Sequence, residues 1–367
     1  MKVLIVDDSA LMRRHLKSLF EEAGFVTEMA RNGQDCLTQL STFKPDVVTL
    51  DINMPIMDGI ECLKTIMKTQ PLPVVMVSSL TEDGAEATFK ALALGAVDFI
   101  QKPSGTWTQN MGESAPILLE KVRQASKVSM QKLRSPASTN NKSINAPRQL
   151  NSSSFFGKPT PRAQTQTLTE RAPSSRKRQS TAKKLIVIGV STGGPNCLQA
   201  ILPKLNKEFS TPIVIAQHMP ARFTKVFAER LNTMCALNVV EVDTKQALLA
   251  HHIYIAKGDA DIVISKTGGR LYAESVPITP EYIWHPSVTR LVETASANIN
   301  ASELCCVQLT GMGNDGAQAM NKAHEQGATV IAESNETAVV FGMPGELVKL
   351  GGTTKILPNY AIAKALQ

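Results

Sequence analysis

The chain has 367 residues, 43% of them hydrophobic, and a formal net charge of +7. That composition is ordinary for a soluble protein, and the length suffices for two domains. No run of about 18 apolar residues occurs, which argues against a transmembrane helix. The opening MKVLIVDDSA sets two acids where a secretory signal would carry its apolar core, so the expected location is cytoplasmic. The six cysteines, Cys36, Cys62, Cys197, Cys235, Cys305 and Cys306, form no CxxC pair. They read as reduced core thiols, not as a zinc site or a disulfide framework.

Residues 1–122 alternate strands and helices. Val3–Val6 is a short apolar strand ending at Asp7-Asp8. Leu11, His15, Leu16, Leu19 and Phe20 carry the spacing of a helix over 11–23. Val47–Leu50 ends at Asp51, Val74–Val77 at Ser78-Ser79, and Ala96–Gln101 at Lys102-Pro103. The series predicts a βαβ fold of about five parallel strands. Its polar strand ends gather at one edge, where open α/β sheets bind ligands. Asp7, Asp8 and Asp51 bring carboxylates together there, a costly arrangement unless a cation neutralises it. Such a hard oxygen set suits Mg²⁺. Lys102 and Ser78 suit phosphoryl oxygens, and a carboxylate beside Mg²⁺ can attack phosphorus. The competing reading, a solvated acidic edge, does not explain why all these strand ends agree.

The motifs VDDSA, LDINMPIMDG, VMVSSLT and DFIQKPSG together resemble the receiver domain of two-component response regulators. The resemblance implies that Asp51 is phosphorylated and that Asp7 and Asp8 help it bind Mg²⁺. It implies that Ser78 and Lys102 contact the phosphoryl group and that Phe99 is the switching aromatic. A chemotaxis histidine kinase would be the phosphodonor.

From Arg123 the composition turns to Pro, Ser, Thr, Asn and Gln. The 123–184 stretch holds 14 Lys and Arg and one acid, Glu170, whereas the flanking domains carry −5 and −1. The basic character therefore belongs to a linker, 123–182, that lacks the apolar surface to fold. A flexible tether is the favoured reading. The alternative is an electrostatic partner site around Arg176-Lys177-Arg178.

LIVIGVSTGGP opens the third segment, 183–367, with a buried strand, a small-residue turn and a helix start at Pro195. Two readings fit the turn. One is a phosphate cradle, although neither GxGxxG nor GK[ST] is present. The other is a nucleophile turn, since residues 189–193 fit GxSxG and would expose Ser191 beside helix N–H groups. The next buried strand, Pro212–Ala216, runs into His218, and Leu304–Leu309 runs into a glycine loop carrying Asp315. Asp315 could be a simple N-cap. Convergence of all these groups on one sheet edge favours a Ser191-His218-Asp315 triad. Its chain order differs from that of α/β-hydrolases. Cys197, near the turn, is the weaker nucleophile candidate. Further strands are expected at Val239–Val242, Ile253–Ala256, Ile262–Ser265, Leu271–Glu274, Ala328–Ala332 and Lys355–Leu357. Helices are expected at Asn196–Leu205, Phe223–Cys235, Pro286–Ala297, Ala317–Gln326 and Glu346–Gly351. This is a doubly wound, mostly parallel α/β domain with one hairpin excursion, around the turn at 266–270.

GVSTGGP, QHMPARFT, HPSVTRL, LTGMGNDGA and VVFGMPGELV in this order resemble the chemotaxis protein-glutamate methylesterases, which are also protein-glutamine deamidases. The resemblance implies Ser191 as nucleophile, His218 as base, Asp315 as orienting group, and Thr192 and the Met312 backbone near the oxyanion. It implies chemoreceptor cytoplasmic regions as substrate and membrane association only through them. No cofactor is expected for hydrolysis. The chain departs from the family at Lys257, where Pro is usual, at Asp261, where His is usual, and at Thr289, often an acid. These positions are expected to flank the cleft, not the triad. The alternative is a non-enzymatic two-component regulator acting through receiver and linker. No helix-turn-helix pattern supports a nucleic-acid partner.

Overall fold

Residues 1–78, 81–102, 107–133 and 184–367 are described in the computed structural model of the protein. Ser79, Pro103 and most of the basic stretch, including Arg176-Lys177-Arg178, lie outside them. The first sheet has the order β2-β1-β3-β4-β5 and is parallel throughout. Its strands are β1 (Lys2–Val6), β2 (Val26–Ala30), β3 (Val47–Asp51), β4 (Val74–Ser78) and β5 (Asp98–Gln101). Both β3 and β4 are buried along their whole length, as apolar runs in a parallel sheet covered on both faces must be. Strand β2 is missing from the sequence reading because, as a half-exposed edge strand, VTEMA has no apolar run.

The helices of this domain are α1 (Ala10–Glu22), α2 (Gly33–Phe43), α3 (Gly59–Thr69), α4 (Glu82–Ala93) and α5 (Trp107–Ala125). The first four start on side-chain caps: Ser9, Asn32, Asp58 and Thr81 each accept a first-turn backbone N–H. Helix α5 continues to Ala125, and a short α6 (Met130–Leu133) follows. Val122, Ala125 and Val128 are buried, so packing of the first domain continues past residue 122.

The second domain carries a seven-stranded sheet of order β15-β14-β13-β6-β7-β10-β8, also parallel. In chain order the strands and helices are β6 (Leu185–Val190), α7 (Gly194–Ile201), β7 (Ile213–Gln217), α8 (Ala221–Met234) and β8 (Asn238–Val242). After β9 (Gln246–Ala247) and β10 (His252–Ala256) comes the excursion, β11 (Asp261–Thr267) and β12 (Arg270–Val276). Its turn is closed by Gly268 and Gly269, both at positive φ. With β9 it forms a separate three-stranded antiparallel sheet. The chain ends with α9 (Val288–Asn298), β13 (Leu304–Gln308), α10 (Ala317–Glu325), β14 (Thr329–Glu333), α11 (Met343–Lys349), β15 (Lys355–Leu357) and α12 (Asn359–Leu366). No helix among the described residues is long and apolar enough to cross a membrane.

One apolar cluster runs through both domains. Phe89 of α4 stacks on Phe227 of α8 at 5.3 Å, and Phe99 of β5 lies 4.5 Å from Phe223 of α8. Asn196 Nδ2 donates to the Leu92 carbonyl at 2.8 Å. The first domain therefore sits against α7 and α8, the two helices that follow Ser191 and His218.

Candidate active site

Strand β6 ends at Val190 and the chain turns at once. Ser191 N donates to the Thr310 carbonyl at 2.9 Å, and Gly194 N to the Ser191 carbonyl at 2.8 Å. Gly193 has φ +77°, and a Cβ there would lie 2.7 Å from Val339 Cβ. At Gly311 a Cβ would come 2.8 Å from Ser191 Cβ. Glycine at 311 lets the 310–316 loop approach the serine, and glycine at 193 lets Val339 pack against the turn. Ser191 is 3% exposed.

His218 is the first residue beyond β7, and its N–H donates to the Val190 carbonyl at 3.1 Å. Pairing of β6 with β7 thus delivers the imidazole beside the serine turn. His218 Nε2 lies 2.9 Å from Asp315 Oδ2. Asp315 also accepts from Val288 N at 2.7 Å, Thr289 N at 2.9 Å, Thr289 Oγ1 at 2.6 Å and Ser287 Oγ at 3.3 Å. Asp315 thus sits at the N-terminus of α9, where the helix dipole favours a carboxylate. Burial alone would raise its pKa, but these donors, His218 and Thr289 foremost, hold it below the ordinary value. An ionised Asp315 can only accept, so Nε2 carries the proton and Nδ1 is the basic atom of the neutral ring. Nδ1 is buried and has no hydrogen-bond partner among the described residues.

The competing reading of Asp315 as a simple N-cap does not hold, for Gly316 is the N-cap of α10. One expectation needs correction. Thr289 does not flank the cleft: its hydroxyl donates to Asp315 and accepts from Gly316 N at 2.9 Å. Asp261 acts one step further out. Its buried carboxylate binds His285 Nδ1 and Arg290 Nη1, each at 2.9 Å, and Ser287 N at 2.8 Å, which fixes the entry to α9. Thr289→Val should lower kcat about tenfold with KM little changed, because it frees Asp315 without touching substrate. Equal kcat for this variant and wild type would remove Thr289 from the triad's support.

Thr192 and Met312 flank the serine, one from each loop. Among the described residues no hydrogen bond engages the backbone N–H of either. The Thr192 hydroxyl is taken: it donates to Asp98 Oδ2 of β5, across the domain boundary, at 2.6 Å. Met312 and Val340 pack in one cluster with Leu118 and Val122 of α5. Cys197 lies behind the turn with its thiol on Glu333 Oε2 at 3.4 Å. Burial, with Glu333 beside it, pushes that thiol well above its ordinary pKa, which disfavours a thiolate nucleophile.

At the edge of the first sheet, carboxylate oxygens of Asp7, Asp8 and Asp51 all lie within 4.8 Å of one another. Lys102 Nζ is 2.7 Å from Asp51 Oδ2 and 2.9 Å from Asp7 Oδ2. A hard, anionic oxygen set of this size fits Mg²⁺. Ser78 ends β4, with its hydroxyl on the Gly84 carbonyl at 3.1 Å. Phe99 is buried against Phe223. Burial raises the Asp51 pKa to about 6 despite the contact with Lys102. The folded chain therefore binds more protons than the unfolded chain between pH 4 and 6, and Asp51 costs stability as pH rises through that window. Asp51→Asn should raise stability at pH 8 in chelator by about 1–2 kcal/mol, and by much less at pH 4. Thermal midpoints at the two pH values check this; an equal shift at both would contradict it.

The arrangement has known counterparts. The CheB methylesterase family model matches residues 186–366, and the response regulator receiver domain model residues 3–108. A protein-glutamate methylesterase/protein-glutamine glutaminase of Rhodospirillum rubrum is 48% identical over 366 residues, covering 100% of this chain and 95% of its own. One from Rhodopseudomonas palustris is 44% identical, covering 100% and 97%. The chain belongs to this family. Among solved structures, the catalytic domain of Thermotoga maritima CheB methylesterase is 38% identical over 50% of this chain and 97% of its own, with a TM-score of 0.49.

Within this methylesterase framework, Ser287, Asp98 and Trp284 carry no role that the sequence reading assigned, and Asp261 and Thr289 were placed at the cleft instead of behind the triad. Ser287 and Thr289 had a local signal, a helix start in HPSVT, but nothing local told which carboxylate they serve. Asp98 sits in a strand and reads as an ordinary edge residue until the domains are packed.

Proposed function

We propose that the chain is a phosphorylation-controlled serine hydrolase that cleaves glutamate methyl esters on the cytoplasmic regions of chemoreceptors. It deamidates specific receptor glutamines by the same steps. The observation that carries this reading is the buried His218–Asp315 pair with its basic nitrogen left open, one strand from Ser191. Ser191 Oγ attacks the ester carbonyl as His218 Nδ1 takes its proton. The N–H groups of Thr192 and Met312 are positioned to meet the oxyanion. The imidazolium returns the proton to the leaving methoxide oxygen, releasing methanol, or to the leaving nitrogen of an amide, releasing ammonia. Water, deprotonated by the same nitrogen, then releases glutamate and regenerates Ser191. Asp315 stays ionised throughout. Mass spectrometry of methylated receptors incubated with the full chain and a phosphodonor tests this. Loss of the methyl mass at glutamates supports it; intact esters beside modified residues of another kind would refute it.

Asp51 is the phosphoryl acceptor, and Asp7, Asp8 and Asp51 would hold Mg²⁺, which neutralises charge on the transferring phosphoryl group. Lys102 balances the phosphoryl charge, and Ser78 and Phe99 turn toward the modified site. A histidine kinase of the chemotaxis system is the donor, and the protein works in the cytoplasm. The basic stretch that follows α6 serves as tether between receiver and hydrolase. A small phosphodonor with Mg²⁺ should label Asp51, and Asp51→Asn or a chelator should block it. Stable label on Asp58 would overturn the assignment.

A further inference from the structure

The indole of Trp284 lies almost parallel to the His218 imidazole, with ring centroids 5.2 Å apart and planes 6° from coplanar. Trp284 is half-buried, immediately before the His285 that Asp261 holds. Its segment is thus anchored from behind by the Asp261 carboxylate and from ahead by the Asp315 contacts at 287–289. An aromatic face laid on an imidazole attracts the cationic ring more than the neutral one. The cation forms on His218 only as Ser191 gives up its proton.

We infer that Trp284 is a positioning residue for the catalytic base: it fixes the His218 ring and stabilises the imidazolium formed in the transition state. This rests on the hydrolase reading above. The other charged groups on the elements around His218 are Asp315, His285, Arg290, Asp98, Asp259 and, on α8, Arg222, Lys225, Glu229 and Arg230. Asp315 faces it from the 310–316 loop. His285 and Arg290, on Trp284's own segment, are both bound to Asp261. Arg222 lies on α8, Asp259 binds Ala221 N there, and Asp98 reaches the serine turn from β5. The stacked ring on His218 is that of Trp284.

The test uses the full chain with phosphodonor present. Trp284→Ala should lower kcat for methanol release from methylated receptor membranes roughly tenfold. It should also move the acid limb of the kcat/KM profile to lower pH by roughly half a unit, since the imidazolium loses its partner. Trp284→Phe should restore most of both. A packing role alone would lower kcat without moving the limb, and that result would overturn the inference.

The chain has two tryptophans, Trp107 and Trp284, so Trp107→Phe leaves one indole as reporter. Its emission should rise as the imidazolium loses its proton, a transition abolished by His218→Gln and kept in His285→Gln. A transition that survives His218→Gln overturns the contact. Ser191→Ala separates the two readings: it stops hydrolysis but keeps the fluorescence transition.

Discussion

Ser191→Ala should reduce methanol release from methylated receptors by about 10⁴-fold or more, with His218→Ala close behind. Both remove parts of one proton-transfer unit, so the double variant should be little worse than either alone. Asp315→Asn should lose less, about 10³-fold, because Asp315 orients the ring and does not react. Its own damage comes from the amide: an Asn can turn N–H toward Nε2 and force the wrong tautomer. Four contacts from 287–289 hold residue 315 in place, so the fold should survive all of these changes. Steady-state methanol release and circular dichroism on the same samples check both halves.

The second large effect concerns the receiver. Asp98→Ala should raise the activity of the unphosphorylated chain roughly tenfold or more. Asp98 accepts the Thr192 hydroxyl at 2.6 Å and is also bound by Lys121 Nζ at 3.2 Å. A hydrogen bond to a charged acceptor contributes roughly 1.5–3 kcal/mol, enough to move a docking equilibrium by one to two orders of magnitude. The contact occupies the residue beside the nucleophile, and Phe99, Phe223, Phe89 and Phe227 bury the same boundary. Strand β5 and the residue after it bring the parts of a switch within five positions. Asp98 touches the serine turn, Phe99 packs on α8, and Lys102 pairs with Asp51. On the assignment proposed above, phosphorylation of Asp51 would replace that ion pair with a larger anion, and the changed pull on Lys102 would reach Asp98 along β5. Asp98→Ala should therefore respond little to phosphodonor, whereas wild type responds strongly.

The parts legible in the sequence were those whose signal is local. Buried parallel strands announce themselves as apolar runs, and polar groups directly after them must share an edge. That logic alone places Asp7, Asp51 and Lys102 together and sets Ser191 beside His218. Strand β2 had no apolar run and α12 no sharp boundary, so both were missed. The role of Thr289 was misjudged because the contact it makes spans 26 positions of sequence and depends on how α9 packs over β13. Asp98 and Trp284 carry information only through their partners, Thr192 and His218, on distant segments.

The central claim is that Ser191 performs the hydrolysis and that the receiver, through Asp98, keeps it idle. Methanol release by Asp98→Ala and by Asp98→Ala/Ser191→Ala, both full-length and without phosphodonor, tests it most directly. The single variant should outpace the unphosphorylated wild type, and the double should release nothing above background. A double variant as fast as the single, or a single variant no faster than wild type, would contradict the account.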